Sequence, residues 1–81
     1  MEFKQLQYFL SAAEYLNFTE AAQACFIVQS AMSQQISSLE KELGVTLFVR
    51  EKSVLRLTAE GETLVLEARK ILNQVNHSRL L

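Results

Sequence analysis

Gln29, Ser33 and Gln34 fall within one short stretch of an 81-residue chain, with Ser30 and Ser37 close by. Amide and hydroxyl side chains of this kind can read base edges in the major groove of a duplex, and glutamine matches the N6/N7 edge of adenine. Farther on, Arg50, Lys52 and Arg56 crowd together, opposed locally only by Glu51. Such a basic cluster suits a phosphate backbone or a minor groove. The serines and glutamines read equally well as a solvated helix face, so pattern alone leaves both readings open.

Chemistry of other kinds finds no constellation. His77 stands alone near the end of the sequence, where a solvated residue is a simpler reading than a ligand or a base. Cys25 is the only cysteine and has no histidine near it in sequence, so it reads as a small core residue rather than a nucleophile. Glu40 and Glu42 are two apart, and on a helix such residues do not face each other. Neither a glycine-rich phosphate loop nor zinc-ligand spacing is present. The expectation is no enzyme, no catalytic residue, and no metal or cofactor in this chain.

Charged residues are 21% and apolar residues 49%, a balance that supports one small core and argues against disorder. The absence of proline and a pair of glycines, Gly44 and Gly61, point to a mostly helical chain. Apolar runs are too short to span a membrane, and the first residues lack the charged-then-apolar order of a secretory signal. A lone cysteine predicts a reducing compartment, hence the cytoplasm. Net charge is −1, which counts against a nucleic-acid partner unless the basic residues gather in one place.

Phe3, Leu6, Phe9, Leu10, Ala13 and Leu16 recur at helical steps and predict a first helix over 2–16. Thr19 looks like the cap of a short second helix over 20–25, kept slim by Ala21, Ala22, Ala24 and Cys25. A third helix begins at Gln29 or Ser30 and runs to Leu43. Met32, Ile36, Leu39 and Leu43 form its apolar stripe, and Gly44 stands at its C-terminal cap. Depending on that start, either Val28 or Ser30 occupies the N-cap. Strand-favouring residues from Val45 to Leu57, interrupted by Glu51-Lys52-Ser53, predict a two-stranded hairpin. Thr58 caps a last helix of roughly 20 residues, about 30 Å long, which outruns so small a core. The fold class is thus mostly α: a winged helix-turn-helix with a small two-stranded wing over 1–57, then a long linker helix over 58–81.

These segments carry a family resemblance. Phe3-Lys4-Gln5-Leu6-Gln7-Tyr8-Phe9 with Ala13-Glu14, then Asn17-Phe18-Thr19-Glu20-Ala21-Ala22, resembles the opening of a LysR-type transcriptional regulator. Gln29-Ser30-Ala31-Met32-Ser33-Gln34-Gln35-Ile36 is similar to that family's recognition helix. Leu39-Glu40-Lys41-Glu42-Leu43-Gly44-Val45-Thr46-Leu47-Phe48 with Arg50, and Leu57-Thr58-Ala59-Glu60-Gly61, resemble the segments after it. The resemblance implies a bacterial DNA-binding domain that reads double-stranded DNA by sequence. On that basis Gln29, Ser33 and Gln34 are expected to meet bases. Thr19, Ser30 and Ser37 are expected at phosphates or flanking the site, and Lys52 and Arg56 in the wing. Val28 stands where the family usually places Ser or Thr, Ser30 where proline is common, and Ser53 where a basic residue is frequent. The hairpin tip also lacks the family's glycine.

Leu64, Ala68, Ile71 and Val75, with Leu72 alongside, fall at heptad-like spacing on the last helix. The residues that outrun the core predict a partner helix, and the resemblance implies a homodimer through it, with a tetramer left open for the full-length protein. It also implies a separate C-terminal domain that senses a small-molecule effector. That domain is absent from the sequence, so the chain is expected to be a fragment. The rival reading is a winged-helix protein-interaction module, supported by the net charge and the uncharged third-helix face.

Overall fold

Helix α1 (Phe3–Tyr15) buries Leu6 and Phe9 from the predicted stripe and Ala12 beside it, leaves Phe3 exposed, and ends at an exposed Leu16 in a left-handed conformation. The computed structural model describes the backbone of residues 1–80 and the side chains of residues 1–74. Helix α2 (Phe18–Ala24) starts earlier than expected, because its cap is Asn17 rather than Thr19. The Asn17 side-chain oxygen accepts from the Glu20 backbone N–H at 3.0 Å, which leaves Thr19 inside the first turn. Ala21 and Ala22 are fully buried, so α1 and α3 approach α2 closely; the Ser11 hydroxyl donates to the Ala21 carbonyl at 3.2 Å.

Helix α3 (Gln29–Leu43) buries Met32, Ile36 and Leu39 and ends on Gly44 with φ +71°. Its N-cap is Val28, whose side chain is 68% exposed and offers no acceptor; Ile27 packs against the core instead. The start at Gln29 therefore holds, and Ser30 is not the cap. Val28→Ser is expected to stabilise the domain by about 0.5–2 kcal/mol by supplying that acceptor. Thermal melting checks this; a lower midpoint would mean that the valine's contacts outweigh the missing cap.

Strands β1 (Phe48–Glu51) and β2 (Val54–Leu57) pair antiparallel, with Phe48 opposite Leu57 and Arg50 opposite Leu55. The hairpin is shorter than the strand-favouring run, and Val45 to Leu47 lie outside it. The reason is Glu40: its carboxylate accepts from the Leu47 N–H at 2.6 Å and the Phe48 N–H at 3.3 Å, drawing the chain back to α3 before the ladder begins. Phe48 then wedges between Phe9 and Phe18, with ring centroids 5.6 and 5.5 Å away. The tip consists of Lys52 and Ser53, both at positive φ, a turn normally built with Asn-Gly.

Helix α4 (Ala59–Leu80) opens on Thr58. The Thr58 hydroxyl accepts from the Gly61 N–H at 3.0 Å and donates to the Thr46 carbonyl, while the Thr58 N–H donates to Leu47 at 2.9 Å. Leu64 and Val65 pack against the core, and Ala68 is 0% exposed. The first turns of α4 are thus part of the domain, lying against α1 and β2. Among the described residues no helix is long and apolar enough to cross a membrane.

Candidate nucleic-acid interface

The α3 face opposite the buried stripe is open to solvent. Gln29, Ser30, Gln34 and Ser37 are exposed and Ser33 is half-buried. Helical spacing puts Ser33, Gln34, Ser37 and Lys41 along one side, where with Ser38 they line a shallow depression. A second depression runs from α3 to the wing and is lined by Ser33, Ser37, Phe48, Val49 and Arg50, among others. Ser33 and Ser37 belong to both, so the helix face and β1 form one continuous surface. Thr19 is exposed in the first turn of α2 and lines neither depression, although its neighbour Phe18 lines the second.

The wing residues separate. Arg50 lies opposite Leu55, on the side of the hairpin that carries Phe48 into the core, and so turns toward α3. Arg56 lies opposite Val49 on the other side, and Lys52 sits at the tip. Charge puts Arg50, Lys52 and Arg56 in one cluster, and the family resemblance singles out Lys52 and Arg56; the strand register adds which face each occupies and turns Arg50 toward α3. The signal was available: Arg50 is two residues after Phe48, and side chains two apart on a strand share a face.

Charge is partitioned. Among the described residues no carboxylate pairs with Arg50, Lys52 or Arg56. Glu40 is occupied by backbone N–H groups, Glu42 lies at the far end of α3, and Glu60, Glu62 and Glu67 lie on α4. A net charge of −1 is compatible with a basic edge, opposed in the wing only by Glu51, beside a polar helix face that carries Lys41. No group of metal-ligating side chains occurs among the described residues.

On α4 the predicted stripe divides. Ala68 is wholly buried in its own domain and is not available to a partner, which corrects its assignment to dimerisation; Leu64 is half-buried against the core. Ile71 is 39% exposed and Leu72 half-buried. The side chains of Val75 and His77 lie outside the described residues. Beside this flank runs an open, largely apolar groove lined by Leu43, Val45, Leu47, Ala59, Thr63 and Leu64 together with Glu60 and Glu67.

A short helix packed on a second helix with an open polar face, followed by a two-stranded basic wing, defines a winged helix-turn-helix domain. The chain belongs to the lysR family of bacterial regulatory helix-turn-helix proteins, whose family model matches residues 3–62. It is 42% identical over 80 residues to the Hca operon transcriptional activator HcaR of Escherichia coli (strain K12), spanning 99% of this chain and 27% of the relative. Against the HTH-type transcriptional regulator AlsR of Bacillus subtilis (strain 168), identity is 45% over 75 residues, spanning 93% of this chain and 25% of AlsR. The chain thus spans about a quarter of the length of these curated relatives, which are transcriptional regulators and not enzymes. Its fold is similar to the CbnR DBD in complex with DNA, with TM-score 0.90, 38% identity, and coverage of 96% of this chain and 90% of that one. The BenM DBD complexed with catB site 1 DNA gives TM-score 0.91 at 37% identity, covering 96% of this chain and 87% of that one.

Proposed function

We propose that this chain is the DNA-reading head of a transcriptional regulator. Helix α3 enters the major groove, Gln29, Ser33 and Gln34 meet base edges, and Ser30, Ser37 and Thr19 flank them at phosphates. The observation that carries this reading is the continuity of the open α3 face with Arg50 and strand β1 through Ser33 and Ser37. Residues 1–57 serve as the head and 58–81 as the linker. The head needs no cofactor; a small-molecule effector acts on a separate domain of the longer protein, in the cytoplasm. Selection of bound duplexes from a random pool, followed by gel shifts over several salt concentrations, tests the proposal. A recovered consensus and a steep salt dependence support it. Equal, weak retention of all duplexes would instead indicate a protein-interaction module.

The wing makes a separable contribution. Arg50→Gln and Lys52→Gln are each expected to weaken binding to all duplexes and to lower the salt slope by about 0.9. Arg56→Gln, on the other side of the hairpin, is expected to leave the slope unchanged. Fluorescence anisotropy titrations at graded salt check all three; a slope lost only with Arg56 would reverse the assignment of the two faces.

The second copy of the chain docks through α4, with Ile71 at the centre of the contact and the Leu43–Leu64 groove beside it. Ile71→Lys is expected to raise the dimer dissociation constant at least about tenfold, since each copy loses burial of the exposed part of an isoleucine and sets a charge in its place. Sedimentation equilibrium measures this, and an unchanged constant would place the interface elsewhere. Removing α4 after Glu62 is a poorer test, because Leu64, Val65 and Ala68 belong to the domain's own packing.

A further inference from the structure

The turn between α2 and α3 carries a pair of exposed apolar side chains. Phe26 is 94% exposed and Val28 68%, while Ile27 between them packs against the core. Both break a local rule. Phe26 has φ +60°, a backbone region that side-chain-bearing residues avoid. The backbone there is held by the Phe26 and Ile27 N–H groups, which donate to the Gln23 and Ala22 carbonyls at 3.1 and 3.0 Å; the exposed ring adds nothing to the core. Val28 occupies an N-cap, a position that favours a side-chain oxygen. Glycine or asparagine at 26 and serine at 28 would serve the fold better. Two such violations in one turn, leading into the end of α3 that carries Gln29, mark a functional edge rather than a structural one.

We propose that Val28 reads the C5-methyl group of a thymine adjacent to the base met by Gln29, with the Phe26 ring keeping water from that contact. The thymine methyl is the one apolar feature that base pairs of unmodified DNA present in the major groove. The valine side chain has no hydrogen bond to offer a phosphate, and Val28 is exposed and immediately precedes the exposed Gln29. This inference rests on the duplex-binding reading above.

Replacing thymine by deoxyuracil removes that methyl and leaves every hydrogen-bonding group of the base in place. In the selected duplex, each thymine is replaced singly and binding of the 81-residue chain is measured at fixed salt. One replacement is expected to weaken the wild type about fourfold, the effect of one buried methyl group. Val28→Gly, an exchange an exposed N-cap tolerates, is expected to bind the thymine and deoxyuracil duplexes alike. Phe26→Gly is expected to reduce the discrimination partway. A wild type indifferent to every deoxyuracil overturns the proposal even if Val28→Gly does not fold. So does a Val28→Gly variant that still loses fourfold at the same thymine, which would assign the methyl to another side chain. Failure to select any duplex sinks the underlying DNA-binding reading instead, and is told apart because it is seen before any thymine is replaced.

Discussion

Gly61→Ala is expected to destabilise the domain by about 3 kcal/mol, although alanine is the better helix former by about 1 kcal/mol. A Cβ at this position would lie 2.4 Å from the Leu47 carbonyl oxygen and 2.8 Å from a Leu57 methyl carbon. The Leu57 side chain can turn away. The carbonyl cannot, because it accepts the Thr58 N–H at 2.9 Å and belongs to a residue that is 0% exposed. Relief requires the start of α4 to lift off the chain leading into β1. Urea unfolding followed by circular dichroism measures the loss; an unchanged or higher midpoint would show that the joint yields easily. Because Leu47 leads directly into Phe48 and the wing, the variant is also expected to bind DNA less tightly in the fraction that remains folded.

Gln29→Ala is expected to lose about 1–3 kcal/mol of binding on the selected site and much less on random duplex. Gln29 is the first residue of α3, is exposed, and makes no side-chain hydrogen bond within the described residues. Nothing in the fold depends on its amide, so the change should leave the melting temperature within experimental scatter. An equal loss on both duplexes would assign Gln29 to the phosphate backbone instead of a base.

The elements that position this surface were legible wherever a single local rule decided them. Met32, Ile36 and Leu39 announce the buried side of α3, and by exclusion its open side; Gly44 and Thr58 mark where helices stop and start. Residue type does not place the start of the second helix, because Asn17 and Thr19 are both good caps and which one is used depends on where α1 delivers the chain. Strand propensity overstates the hairpin's length because Glu40 binds backbone N–H groups of Leu47 and Phe48, and backbone partners leave no trace in residue type. The turn at Lys52 and Ser53 carries no glycine signal, since its positive φ angles are imposed by the paired strands on either side. A heptad spacing cannot distinguish a domain's own core from a partner helix, so Ala68 looked like an interface residue when it is buried at home. Among the candidate contacts, the α3 residues followed from the helix stripe, whereas Arg50 needed the strand register.

The joint at Thr58 has a consequence for DNA as a material. Thr46, Leu47, Thr58 and Gly61 are cross-tied where wing and helix meet, so α4 leaves the head in one direction with little freedom to swivel. For two heads joined through α4, the separation and relative rotation of their recognition helices are then nearly constant. A duplex whose half-sites differ from that spacing has to accommodate by bending or twisting. Such deformation depends on base step, with pyrimidine–purine steps the most compliant. The untouched base pairs between half-sites would therefore be chosen for their flexibility.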